Sequence, residues 1–326
     1  MPMPLKIFVD LATPPDLLDL LQNGTRGHQL LLPLKPVTSV LAEAAPDPQM
    51  ALADIAFGQP TVRAIAEAPG LKWVQVSSSG ITRYDNPAFR ALAAERQLVV
   101  TNSAAVYAEA CAVQVLSFLL AQARQLPLGL RTRAANGAPE WTALRSSSTT
   151  LRGQTVLILG FGAIGTRLVE LLQPFHLNII ACRRAARGDE GVRVVTPEQV
   201  GPVLANEADH IINILPDNAA SRQFFNAARL AALKPGAVFY NIGRGTTVDQ
   251  TALVAALRSG RLQAAWLDVT DPEPLPAEHP LWREPNCHIT PHVAGGHHDE
   301  AKTLVRHFLQ NFERFVRGEP LLDRVM

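Results

Sequence analysis

Three residues of complementary chemistry follow three apolar runs late in the chain: Arg244 after AVFYNI, Glu273 after AAWLDV and His292 after CHIT. In an open parallel sheet, ligands bind beyond the carboxyl ends of the strands, so these positions are informative. A guanidinium can grip a carboxylate and the adjacent carbonyl oxygen with paired hydrogen bonds. An imidazolium can give that carbonyl a proton as a hydride reaches its carbon, and a neighbouring carboxylate fixes which ring nitrogen faces the substrate. Arg244, Glu273 and His292 therefore suit reduction of a 2-oxo acid, and the same groups serve the reverse oxidation without a metal. Singly, each has a plainer reading: a solvated arginine between Gly243 and Gly245, a surface carboxylate, a structural histidine. Their joint occurrence downstream of a nucleotide motif favours catalysis.

That motif is TVLILGFGAIG, Thr155 to Gly165. A run of strand formers ends in Gly160-Phe161-Gly162-Ala163-Ile164-Gly165 and gives way to a helical pattern from Thr166 to Gln173, the context a dinucleotide fingerprint requires. Gly160 permits the turn, Gly162 lets the backbone approach a pyrophosphate, and Gly165 lets the helix pack on its strand. The phosphates would rest on the helix N-terminus.

The elements that must position these residues alternate in type. Before the motif, strands are predicted at Leu5–Asp10, His28–Pro33, Ala53–Gly58, Lys72–Ser77 and Gln97–Asn102, separated by helical patterns at Pro15–Gln22, Val37–Ala44, Thr61–Ala68 and Asn86–Glu95. A long helix over Ala105–Arg124 and a polar loop through Asn136-Gly137-Ala138-Pro139 lead into the motif. Strands resume at Asn178–Arg183, His210–Leu215, Ala237–Ile242, Ala264–Val269 and Cys287–Thr290. The proline-dense stretch Asp271–Pro285 reads as a stiff loop. Asp299–Arg317 is an amphipathic helix, with Leu304, Val305, Phe308, Phe312, Phe315 and Val316 on its apolar side, expected to pack back on the first domain. The expected fold class is α/β: two doubly wound parallel-sheet domains, a flavodoxin-like substrate domain over 1–102 plus 297–326 and an inserted Rossmann dinucleotide-binding domain over 103–296.

Composition narrows the partners. Thirty basic against 29 acidic residues give a formal net charge of +1 without a block of one sign, which points away from nucleic acid and anionic membranes and toward a small-molecule ligand. Cys111, Cys182 and Cys287 lie far apart without CxxC spacing, which argues against a disulfide framework or zinc site and fits a reducing cytoplasm. The start, MPMPLKIFVD, has no signal-peptide pattern. The apolar stretch Ala110–Ala123 carries Gln114 and Gln122 and reads as a buried helix too short to span a bilayer.

Nearly the whole chain resembles the D-isomer-specific 2-hydroxyacid dehydrogenases, through LGFGAIG, ADHIINILPDN, LKPGAVFYNIGRGTTVDQTALVAAL, LQAAWLDVTDPEPLPAEHPLW and ITPHVAG in the family's order. The resemblance implies that Arg244, Glu273 and His292 are the catalytic arginine, glutamate and histidine. It implies that backbone amides of Ser78, Ser79 and Gly80 in VSSSGITRYD hold the substrate carboxylate, although serines replace the usual small residues there. Implied cofactor contacts are Ala163 and Ile164 at the pyrophosphate, Leu215 and Pro216 beside the adenosine, Ile242, Gly243 and Arg244 along the nicotinamide half, Asp268 at the carboxamide, and His292 to Gly295. Asp268 has a plainer reading as a strand-end cap, but its place in LDV favours the cofactor role. A homodimer is implied too, with Trp141 either reaching the partner subunit or serving as a structural residue.

An NAD-binding member would carry an acidic residue at the end of the second strand of this domain, for the ribose 2′-hydroxyl. Here Arg183 occupies that place, followed by Arg184 and Arg187, and with no carboxylate at the strand end the arginines would attract a 2′-phosphate. NADP is therefore the expected cofactor; NAD remains possible if Asp189 or Glu190 turns back to the ribose. NADPH favours the reductive direction, with glyoxylate and hydroxypyruvate as the resemblance's candidate substrates. The alternatives are an NAD-dependent 3-phosphoglycerate-type dehydrogenase and a dinucleotide-sensing corepressor of the same fold. The presence of all three catalytic residue types argues against the corepressor.

Overall fold

The computed structural model describes residues 3–35 and 47–326, so the helical pattern read at Val37–Ala44 lies outside the described residues. The chain divides into two compact units, Met1–Tyr107 with Gly296–Met326, and Ala108–Gly295. The first holds a parallel sheet of β1 (Lys6–Val9), β2 (Gln29–Leu31), β3 (Ile55–Gly58), β4 (Trp73–Val76) and β5 (Val99–Thr101), in the order β2-β1-β3-β4-β5. This is the flavodoxin-like order. The second holds β6 (Thr155–Leu159), β7 (Asn178–Cys182), β8 (Arg193–Val195), β9 (His210–Asn213), β10 (Ala237–Asn241), β11 (Leu262–Leu267) and β12 (Cys287–Ile289), in the order β12-β11-β10-β9-β6-β7-β8. From β8 through β11 that is the Rossmann order, with β12 added at the edge.

Strands buried on both faces explain the near-continuous apolar runs: every residue of β3, β4, β9 and β10 is buried. In the first unit the closing helix, Glu300–Arg317, lays Phe308 and Phe315 against Trp73, with ring centroids 5.3 and 5.4 Å apart, and Phe308 stacks on Phe57 at 4.5 Å. Burying such an aromatic contributes about 1.5–3 kcal/mol. The helix stops at Gly318, whose left-handed φ of 69° lets the chain turn, while Glu319 donates back to the Arg314 carbonyl at 2.9 Å.

Several expectations are corrected. The helix through the unit boundary runs Ala104–Ala123, long and apolar enough by length and composition to cross a bilayer, and therefore not short. Within the second unit it buries Cys111, Ala112, Val115, Phe118 and Leu119, and Gln122 accepts a hydrogen bond from the Trp266 indole at 2.9 Å. The loop before the motif contains a helix, Pro139–Ser147, started by proline at its first position. Strand β8 was not expected, and β11 begins two residues earlier than predicted, at Leu262.

Among the described residues, each unit also buries a titratable group whose protonation burial shifts far from its ordinary range. Asp10, just past β1, is 1% exposed, and its Oδ2 has no hydrogen-bond partner among the described residues. Burial pushes this carboxyl up to about 7, outweighing the Gln59 backbone hydrogen bond and the Arg83 charge that pull it down, while Asp47 adds to the rise. In the second unit His210 lies between Gln154 Oε1 at 2.7 Å and the Tyr240 hydroxyl at 3.0 Å. Burial pulls this imidazole down to about 4 against the opposing charge of Asp209.

Candidate active site

The chain beyond the carboxyl ends of β10, β11 and β12 carries the catalytic candidates Arg244, Glu273 and His292. Arg244 follows β10 in a chain path that admits only glycine on either side. A Cβ at Gly243 would lie 2.6 Å from the Leu215 carbonyl oxygen, and one at Gly245 would lie 2.0 Å from the carbonyl of Thr270. The two glycines thus let the β10 end pass between the chains leaving β9 and β11. The Arg244 carbonyl accepts hydrogen bonds from Asn241 Nδ2 at 3.2 Å and Thr247 Oγ1 at 2.6 Å, and its guanidinium donates to the Gly243 carbonyl at 2.6 Å. Asn213, fully buried at the end of β9, donates to Asn241 Oδ1 at 2.9 Å and Thr247 Oγ1 at 2.7 Å. This asparagine and threonine bracing escaped the sequence reading, although INI and YNI at the ends of neighbouring strands were a visible signal.

His292 adopts a left-handed φ of 52° and donates its backbone N–H to the Asp268 carbonyl at 2.8 Å. Asp268, 1% exposed, accepts from Thr290 Oγ1 at 2.5 Å and Val293 N–H at 3.0 Å through Oδ1, and from Ala294 N–H at 2.8 Å through Oδ2. Both oxygens therefore hold the turn that carries the histidine. His292 Nδ1 meets Glu273 Oε2 at 3.0 Å, leaving Nε2 as the ring nitrogen turned away from the carboxylate. Burial pushes Glu273 up, but the His292 hydrogen bond and charge, the Thr270 N–H and the Arg244 charge together leave it below the usual carboxylate range. The structure thus brings Glu273 and His292 into contact, within electrostatic reach of Arg244.

On the other side of the switch in strand order, Gly160 has φ 95°, and a Cβ there would lie 2.7 Å from the Ile214 carbonyl oxygen. Gly162 opens the helix Ala163–Leu172 without any side-chain cap, and a Cβ on it would meet no protein atom within 4 Å. Nothing in the protein itself demands glycine at 162, whereas a diphosphate against the uncapped N–H groups of the first turn would. Gly165 is buried, with a Cβ position 3.0 Å from the Phe161 ring. Leu215 is half-buried, Pro216 exposed and Ile242 buried, and Gly295 is half-buried after Ala294. These residues fit a dinucleotide.

One expectation at the second strand end is overturned: a carboxylate does reach Arg183. Glu190 Oε1 accepts from Arg183 Nη1 at 2.9 Å and from Arg187 N–H at 2.6 Å, and Oε2 accepts from Gly188 N–H at 2.9 Å. The loop folds back on itself, which strand register could not reveal. Arg184 and Arg187 are exposed.

The serine loop belongs to the first unit. Gln59 Nε2 donates to Ser78 Oγ at 2.9 Å and Ser77 Oγ at 3.2 Å, Ser78 Oγ donates to the Gly80 carbonyl at 2.7 Å, and Asn102 Nδ2 donates to the Ser79 carbonyl at 2.7 Å. Side chains thus fix the loop's oxygens, and the amides of Ser78, Ser79 and Gly80 have no acceptor among the described residues. Trp141 is half-buried on Pro139–Ser147, with the Arg145 guanidinium 4.7 Å above its ring. Among the described residues no cluster of three His, Cys, Asp or Glu side chains could hold a metal ion. A cleft of about 660 Å³ lined by His176, Asn178, Arg193 and Glu207 opens at the amino ends of the strands, away from the catalytic candidates.

Residues 116–294 match the family model described as D-isomer specific 2-hydroxyacid dehydrogenase, NAD binding domain. A human glyoxylate reductase/hydroxypyruvate reductase is 34% identical over 66% of this chain and 66% of its own. A glyoxylate/hydroxypyruvate reductase B of Salmonella newport is 31% identical over 79% of each chain. Among solved structures, an NADPH-dependent glyoxylate/hydroxypyruvate reductase from Sinorhizobium meliloti, in complex with NADP and malonate, superposes with a TM-score of 0.72 at 27% identity, covering 99% of this chain and 97% of that one.

Proposed function

The chain belongs to the D-isomer specific 2-hydroxyacid dehydrogenases, nicotinamide-dependent enzymes, and from that premise we propose that it reduces a small 2-oxo acid, glyoxylate or hydroxypyruvate, to the D-2-hydroxy acid with NADPH. The observation that carries this reading is the 3.0 Å contact of His292 Nδ1 with Glu273, at strand ends next to Arg244. Residues 103–296 form the dinucleotide-binding domain in this reading, and 1–102 with 297–326 the substrate domain. The bound cofactor supplies the hydride. Arg244 pairs its guanidinium with the substrate's carboxylate and carbonyl oxygens, polarising the carbonyl. His292, its Nδ1 engaged by Glu273, gives the proton on Nε2 to the carbonyl oxygen, and Asp268 keeps the histidine's turn in place. Amides of Ser78, Ser79 and Gly80 hold the carboxylate, while Gly160, Gly162, Ala163, Ile164 and Gly165 cradle the pyrophosphate.

The NADPH preference draws support from exposed Arg184 and Arg187, from Arg183 beside them, and from the NADP named for the Sinorhizobium structure. A cytoplasmic homodimer completes the proposal: free Cys111, Cys182 and Cys287 fit a reducing compartment, and apolar surface at Leu128 and Leu130, 54% and 85% exposed, suits a contact between copies. Initial rates of nicotinamide oxidation with NADPH and NADH on both oxo acids test the reading. Faster turnover with NADPH is expected; turnover with NADH alone removes the arginine argument, and none with either removes the proposed substrates.

A further inference from the structure

The loop after β7 carries Arg183, Arg184, Arg187, Asp189 and Glu190, three positive charges and two negative. Its carboxylates are not equivalent. Asp189 is exposed, whereas the Glu190 side chain is 4% exposed and takes three donors, Arg183 Nη1, Arg187 N–H and Gly188 N–H. The Arg183 side chain, 17% exposed, is correspondingly committed. The glycine turn lies directly beside this pair, because Gly160 N–H donates to the carbonyl of Cys182, the residue before Arg183.

We propose that Glu190 is a specificity-determining residue: a built-in negative charge on Arg183 that weakens the hold of this loop on a cofactor's 2′-phosphate and so leaves NADH a usable competitor. This rests on the reading that the loop meets the adenosine end of the cofactor. A dianionic phosphate approaching the three arginines meets the Glu190 charge as well, fixed by backbone N–H groups that prevent it from swinging away. NADH carries no such phosphate, and its affinity does not register that charge. The Arg187 and Gly188 N–H groups and the Arg183 charge hold Glu190 ionised, below its usual range, against the opposing effect of burial.

Dissociation constants of NADPH and NADH, measured without substrate by titration calorimetry on wild type and Glu190→Gln, test the proposal. The amide keeps an acceptor for the loop but removes the charge. NADPH is expected to bind about fivefold more tightly to the variant, NADH within twofold of wild type, and the NADPH gain should shrink as salt is raised. A gain shared equally by both cofactors, an unchanged NADPH affinity, or a loss for NADPH would each overturn it. Glu190→Asp, which keeps the charge on a shorter stem, should show no NADPH gain; an equal gain there makes the effect one of loop geometry and overturns the proposal. The wild-type ratio of NADPH to NADH affinity separately tests the cofactor preference, so that reading can fail while the change on Glu190→Gln still stands.

Discussion

Arg244 and Arg183 follow β10 and β7 of one sheet, yet their settings are built differently. Arg244 is set between chains by two glycines and by Asn241 and Thr247 on its carbonyl, themselves braced by Asn213. Arg183 is held by one carboxylate from its own loop. Backbone packing fixes the first, so a side chain added at Gly243 or Gly245 meets the backbone leaving β9 or β11 respectively. Charges on a surface loop fix the second, so a single substitution can retune it without disturbing the sheet.

The contrast can be broken at four depths. The largest effect belongs to the catalytic end: His292→Ala should lower kcat/KM about 10³-fold while NADPH affinity by calorimetry stays within a few-fold. Comparable losses of cofactor binding would remove its assignment as proton donor. Next, Gly245→Ala should lower stability by about 3 kcal/mol or more in urea unfolding, because the methyl meets backbone at 2.0 Å. Gly188→Ala, in the arginine loop at φ 89° with no neighbour within 4 Å, should cost only about 1 kcal/mol. Equal costs would erase the distinction between the two ends.

Glu273→Gln should reduce kcat/KM roughly 10- to 100-fold, the worth of a hydrogen bond to a charged group. Because the folded carboxyl is held below its ordinary value, its charge is present above that value and is lost only as pH falls through the lowered one. The wild-type rate should therefore fall on the acid side with a limb that the variant lacks. An identical profile would show that Glu273 does not act through its charge. Smallest is Arg184→Ala, expected to weaken NADPH about fivefold and NADH hardly at all, with the difference fading in high salt. A loss shared by both cofactors would take Arg184 away from the 2′-phosphate.

The sequence made the two parallel sheets legible because strands buried on both faces leave continuous apolar runs, and catalytic candidates stood out where such runs met Arg244, Glu273 and His292. What stayed hidden lacked an apolar signature. Strand β8 is three residues long and begins on exposed Arg193. Helix Pro139–Ser147 buries none of its residues, so no stripe marks it, and its Ala138-Pro139 start resembled a loop. Glu190 was readable as a nearby acid, but its contact with Arg183 depends on a turn through Gly188 and Gly191, at φ 89° and 66°, that residue types alone do not specify.

Asp10 in the first unit and His210 in the second contribute to stability with opposite dependence on acid. Asp10 binds its proton more tightly in the folded chain, so the first unit is favoured below the ordinary carboxylate range and loses that advantage as pH rises through about 7. His210 binds its proton more weakly when folded, so the second unit keeps its full contribution above about 6.5 and loses it as pH falls toward about 4. Acidification thus weakens the contribution of His210 while it strengthens that of Asp10. In scanning calorimetry from neutral pH toward pH of about 4, the wild type should lose melting temperature that His210→Gln retains, and an equal loss in both would show that His210 does not carry this dependence.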